Sequence, residues 1–307
     1  MTEKSFRICN RATALVVLAV ATVTYLLTLE PTVSFWDCGE FIASSYRLEV
    51  GHPPGNPVWQ IFAKVFTMFT GPEHAAAAIN ACSAVCSAFT IFFLSLTIVF
   101  FARRIMGRGE YTVSETIGIC GAGAVGALAC CFSDTFWFSA VEAEVYAMSS
   151  LFTAIVFWAM TRWYEEADKP HSGRWIILIC FLMGLSIGVH LLNLLSIPAI
   201  VFMYFYRIRE NGTYSWKGLC GIFLLSCFIL AAILFGIIPF LPKAAAYADL
   251  LFVNHLGLPF NSGAIAFLIA LFTALFWGLF HSLKHSKVVL NTVLLCVTTI
   301  IIGFSLY

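Results

Sequence analysis

Long apolar runs separated by short polar segments dominate the chain. They cover residues 12–29, 76–102, 114–132, 145–163, 175–189, 191–206, 217–238, 263–281 and 288–305. A helix needs roughly 20 apolar residues to cross the hydrocarbon core of a bilayer. The pattern therefore predicts an all-α, polytopic membrane protein of about nine transmembrane helices, with 1–307 as a single membrane domain. The runs 175–189 and 191–206 are short, yet together they exceed one ordinary span. Between them, "GLSIGVHLLN" has the glycines and polar atoms of a helix break, so two partial spans are expected to meet at His190.

Charge fixes an expected orientation. With the N-terminus cytoplasmic, 14 of the 17 Lys and Arg residues fall on the inner side; Arg47, Lys64 and Lys243 are the exceptions. Arg108 belongs to the inner set. Merging 175–206 into one span would expel Arg207, Arg209 and Lys217, which favours the split. The first run follows Lys4, Arg7 and Arg11 but is longer than a signal-peptide core and ends without a small-residue cleavage site. It reads as a retained first helix.

Composition agrees: 61% of residues are hydrophobic and 11% charged, against about 25% charged in soluble domains. A net charge of +1 gives no reason to expect a nucleic-acid partner. The 11 cysteines lie largely within apolar runs, as at Cys82, Cys86 and Cys120, and behave as small hydrophobes.

The polar chemistry then collects on the outer side, which carries nine of the 16 acidic residues. The first outer loop, 30–75, holds "FWDCGEFIASSYRLEVGHPPGNPVW". Asp37 and Glu40 stand three apart and share a face if helical. One is suited to general-base work, the other to tuning it, and together they offer oxygen ligands for a divalent cation. Aromatic neighbours Phe35, Trp36 and Phe41 suit an interfacial pocket. His52 sits in a turn stiffened by Pro53 and Pro54, where it serves either as a phosphate partner and proton carrier or as a turn residue satisfied by backbone.

The second segment, "SDTFWFSAVEAEVYA", places Glu142 and Glu144 near a helix start. The helix dipole alone would account for carboxylates there. On a helix the two would point to different faces, while Glu142 and Tyr146 would share one. His190 and Asn193 form the third pair, again three apart. A further outer stretch runs from 239 to 263 and contains "LGLPFNSG".

Other matches fail on context. "GAGAVG" at Gly121, Gly123 and Gly126 has dinucleotide-loop spacing but lies inside an apolar span, where small-residue helix packing explains it better. "HSLKH" lacks the glutamate of a zinc-protease helix. The sequon at Asn211 falls on the inner side and is expected to be silent. No metal-ligand cluster is evident from spacing.

The segments "PTVSFWDCGEFIASSYRLEVGHPPGNP", "FSDTFWFSAVEAEVYA" and "GLSIGVHLLNLL", in this order, resemble a family of multi-pass protein O-mannosyltransferase-like proteins. The resemblance implies a GT-C type glycosyltransferase with its site at the outer membrane surface, periplasmic or lumenal. The donor would be a polyprenyl-phosphate sugar, with mannose as the sugar and a protein Ser or Thr hydroxyl as the acceptor. It implies Asp37 as the catalytic acidic residue with Glu40 beside it, and Glu142, Glu144, Tyr146, His190 and Asn193 as substrate-binding residues. Arg47, His52, His190 and Lys243 are the outer groups able to steady a departing phosphate. Family members continue further, so the stop at "IIGFSLY" reads as a truncation. No cofactor is firmly implied. The competing readings are a transporter or flippase for a lipid-linked or small anionic substrate, and a non-catalytic membrane scaffold. Charges confined to one face, without a visible inverted repeat, weigh against transport.

Overall fold

The computed structural model describes residues 2–107, 109–209, 212 and 214–305; Arg108 and Asn211 lie outside them. Among the described residues the regular structure is helical and no strand occurs. Seven helical segments are long and apolar enough to cross a membrane, and two shorter apolar helices join them. Every apolar run of the sequence corresponds to one of these nine.

The bundle core forms around α4 (Ala75–Met106), which packs against α1 (Glu3–Leu27), α5 (Val113–Cys131) and α7 (Val145–Glu166), with the short α6 (Asp134–Ala140) between the last two. Thr2 caps α1 by accepting the Ser5 amide, and Thr112 with Glu115 forms a capping box on α5. Gly123 and Gly126 of the "GAGAVG" stretch lie against α4. A methyl on Gly123 would sit 2.5 Å from Val99 Cγ2, and one on Gly126 2.8 Å from Ile98 Cδ1. Small-residue packing is thus what that motif does.

The expected break at His190 is present. Helix α8 (Gly173–Ile187) stops, Gly188 to His190 are non-helical, and a 3₁₀ turn (Leu191–Ser196) leads into α9 (Ile197–Ile208). Here α8 is held by α13 (Val288–Phe304) at backbone contact: a Cβ on Gly184 would lie 2.1 Å from the Ile300 carbonyl oxygen. Gly184→Val is therefore expected to destabilise the protein by about 1–3 kcal/mol through overpacking. Thermal unfolding in detergent measures it, and an unchanged midpoint would show that the two helices are not locked at this point.

The sequence departs from the fold after residue 238. The outer stretch 239–263 is largely helix. The run begins in α10 (Trp216–Ala231), passes a π-helical turn (Ala232–Ile237) and continues as α11 (Ile238–Leu256). At 41 residues it is about 61 Å long, twice the hydrocarbon core. Pro239 follows directly on the π turn, in the first turn of α11, and Pro242 lies inside the helix. Two further helices, α12 (Ser262–Lys284) and α13, complete the chain.

The first loop is partly helical. It contains α2 (Cys38–Arg47) and α3 (Pro57–Thr67). Asn80 of α4 holds its start, donating to the carbonyls of Glu30 (2.7 Å) and Thr32 (3.0 Å). The Val58 amide donates to the Gly188 carbonyl at 2.9 Å. The loop therefore docks on the helix break itself. That contact sets the site.

Candidate functional site

A cavity of about 370 Å³ opens where the first loop, the start of α7 and the α8–α9 break meet. Asp37, His52, Glu144, Tyr146 and His190 line it, one or two from each of the three polar segments. Apolar walls come from Phe41, Val189 and Ile238, the last belonging to α11. Volumes of 300–1,000 Å³ with a few convergent polar groups are typical of small-ligand sites.

Asp37 is the N-cap residue of α2, yet its side chain makes no capping bond, and it is exposed. It follows Trp36, whose φ of +61° turns the chain sharply into the helix. The exposed rings of Phe35 and Trp36 flank it.

Glu40 lies one turn along α2 and does not line the cavity. It accepts from the His52 amide at 2.5 Å and from His52 Nδ1 at 3.1 Å. These bonds hold its carboxyl below the usual range. A carboxylate can only accept, so Nδ1 carries the proton and Nε2 of His52 remains free. Glu40 thus fastens the "HPPG" turn to α2. Gly51 permits this approach, since a methyl there would sit 3.0 Å from Glu40 Oε1.

Glu142 and Glu144 do not behave as helix residues. Helix α7 begins at Val145, so 141–144 is non-helical and the two side chains converge instead of diverging. Glu144 is the N-cap residue but makes no cap bond. Its Oε1 accepts from the Cys38 thiol at 3.7 Å, and both glutamates are buried. Burial first, then the neighbouring Glu142, raises Glu144 from 4.5 to about 7. Burial beside these carboxylates likewise pushes the Cys38 thiol up to about 12.

The Cys38, Glu142 and Glu144 ligand atoms lie within 4.8 Å of one another. A protonated thiol among carboxylates makes a mixed donor set suited to sharing protons. Hard cations such as Mg²⁺ and Ca²⁺ take oxygen ligands instead. Cys38 is the residue the apolar pattern concealed; its place inside "WDCGE", between two acids, was the available signal.

A raised Glu144 has a stability consequence. The folded state holds its proton more tightly than the unfolded state. The stabilisation is therefore complete below pH 4.5 and is lost as pH rises towards 7. Glu144→Gln should flatten the thermal midpoint between pH 5 and about 7.5. An identical pH slope in wild type and variant would contradict the assignment.

His190 adopts an extended backbone and caps the 3₁₀ turn, its Nδ1 accepting the Leu192 amide at 3.1 Å. The ring meets Tyr146 edge-on, with centroids 5.2 Å apart. Burial lowers its proton affinity, favouring the neutral ring. With Nδ1 accepting, the ring proton resides on Nε2.

Besides Glu40, three predicted residues stand apart from the cavity. Asn193 is fully buried and braces the break by donating to Ser186 Oγ at 3.0 Å. Arg47 is exposed and pairs with Glu49 at 3.5 Å. Glu142 stands behind Glu144 without lining the cavity. Of the outer phosphate candidates, His52 and His190 line it, whereas Arg47 and Lys243 do not.

The family described as Protein O-mannosyl-transferase TMEM260 N-terminal domain matches residues 37–213, more than half of the chain. The chain belongs to this family. The match begins at Asp37 and includes all three cavity segments. Among curated relatives, "Protein O-mannosyl-transferase tmem260" of Dictyostelium discoideum is 23% identical over 225 residues, covering 68% of this chain and 26% of the relative. "Protein O-mannosyl-transferase TMEM260" of Mus musculus is 28% identical over 197 residues, covering 64% and 26% respectively. The chain thus spans about a quarter of the length of these relatives. No solved structure matches it significantly.

Proposed function

We propose that this chain forms the reaction site of an inverting, GT-C type membrane glycosyltransferase. It would move mannose from a polyprenyl-phosphate carrier to a Ser or Thr hydroxyl of a protein acceptor. The observation that carries this reading is the meeting of Asp37, His52, Glu144, Tyr146 and His190 around one cavity at one end of the bundle. The relatives' names supply the reaction class.

In this reading the acceptor hydroxyl attacks the anomeric carbon as the bond to the carrier phosphate breaks. The proton passes to Asp37, whose carboxylate is exposed to the cavity. A lipid phosphate leaves without prior protonation, so one base suffices and the configuration inverts. The Nε2–H of His190 is a cavity donor for the charge developing on the phosphate, while the free Nε2 of His52 can accept a proton. Glu144, near half-protonated at neutral pH, can give or take a proton beside them. Residues 30–75 form the outer wall of the site. The cavity faces the periplasm or lumen and the N-terminus the cytoplasm, in keeping with the basic residues at the opposite bundle end.

Reconstituting the chain with polyprenyl-phosphate [³H]mannose and a Ser/Thr-rich peptide tests this. Labelled peptide is expected. Absence of transfer to any hydroxyl acceptor from a correctly folded chain would contradict the reading.

A further inference from the structure

A second cavity, of about 610 Å³, lies at the end of the bundle opposite the candidate site. Its back wall is α4, and its sides are the start of α1 and the end of α7. The mouth is charged: Arg7, Arg11, Arg103, Arg162 and Lys169 face Glu3, Glu165 and Glu166, five basic groups against three acidic, or +2. The acids are already engaged. Glu3 pairs with Arg7 and Arg103, both at 3.0 Å; Glu165 and Glu166 pair with Arg162 at 2.5 and 2.9 Å. Arg11 and Lys169 make no ion pair with a described carboxylate. Deeper in, the walls turn apolar through Leu15, Phe92, Leu96, Phe100 and Trp158. Phe92, Leu96 and Trp158 are only half-buried and offer surface to a guest.

We infer that this groove binds an anionic glycerophospholipid, headgroup at the mouth and one acyl chain along α4. Charge supplies the first argument. The excess positive charge belongs to Arg11 and Lys169, neither of them in an ion pair with a described carboxylate, at the depth of a lipid phosphate. Length supplies the second. From Arg103 to Phe92 the groove runs eleven residues along α4, about 16 Å, or half of the ~30 Å hydrocarbon core. That is the depth of one leaflet, which an acyl chain fills and a polyprenyl chain overruns. The bound lipid would fill the space between α1 and α7 and so support α7, whose other end carries Glu144 and Tyr146.

The test is native mass spectrometry of the full chain, purified in detergent. Phosphatidylglycerol, phosphatidylcholine and polyprenyl phosphate are offered at equal concentration, with inorganic phosphate as a separate competitor. Retention of phosphatidylglycerol about tenfold above phosphatidylcholine is expected, with Arg11→Gln/Lys169→Gln bringing the ratio near one. Brominated-chain phosphatidylglycerol should also quench tryptophan emission more in wild type than in Trp158→Phe, which places the chain in the groove without touching the charges. The inference is overturned by any of four results: equal retention of the two phospholipids, retention of polyprenyl phosphate that Arg11→Gln/Lys169→Gln abolishes, displacement by inorganic phosphate, or quenching unaltered in Trp158→Phe.

Discussion

Asp37→Asn is expected to lower mannose transfer by about 10²–10⁴-fold, the usual contribution of a positioned general base. The substitution is nearly isosteric and asparagine is a good N-cap residue, so α2 should start where it does now. Asp37 makes no cap bond and is exposed, so no folding interaction is lost with its charge. Thermal stability should therefore stay within about 0.5 kcal/mol of wild type. Transfer within a few-fold of wild type would remove Asp37 from the role of base. The next cavity carboxylate to test would then be Glu144, since Glu40 is committed to His52.

His190→Asn is expected to lower transfer by about 10²–10³-fold, the scale of losing one donor to developing negative charge. The choice of asparagine separates two roles. His190 Nδ1 accepts the Leu192 amide, and an asparagine carbonyl oxygen can replace that bond as an N-cap. Asparagine cannot supply the distal Nε2 proton. Loss of turnover with an unchanged thermal midpoint would assign His190 to the reaction. Equal losses in His190→Asn and in Asn193→Ala, which removes the buried side-chain bonds to Ser186 and Ser196, would reduce His190 to a support of the helix break.

The membrane spans were legible because each is a long apolar run, and length alone decides whether a helix can cross. The break at His190 was legible too, from two glycines and from the arginines a merged span would have misplaced. The stretch after 238 was not. Its sequence reads only as an outer stretch between two spans, whereas a π turn leads into it and it continues as helix to Leu256.

Within the site, the sequence pointed to the right segments but not to the division of labour among them. Glu142 and Glu144 were judged on helical geometry, whereas α7 starts one residue after them. Glu40 and His52 are twelve residues apart, and only the turn at Gly51 brings them together. Ile238 reaches the cavity from the far half of the chain, a contact that no local pattern encodes.

The central claim is that three distant segments form one donor site. A polyprenyl-phosphate mannose analogue with a small photoreactive group on the sugar tests it most directly. Irradiated with the reconstituted chain, the analogue should label residues 37–56, 144–146 and 187–191, and unlabelled donor should abolish the adducts. Adducts at the opposite end of the bundle, or labelling that unlabelled donor does not compete, would contradict the account.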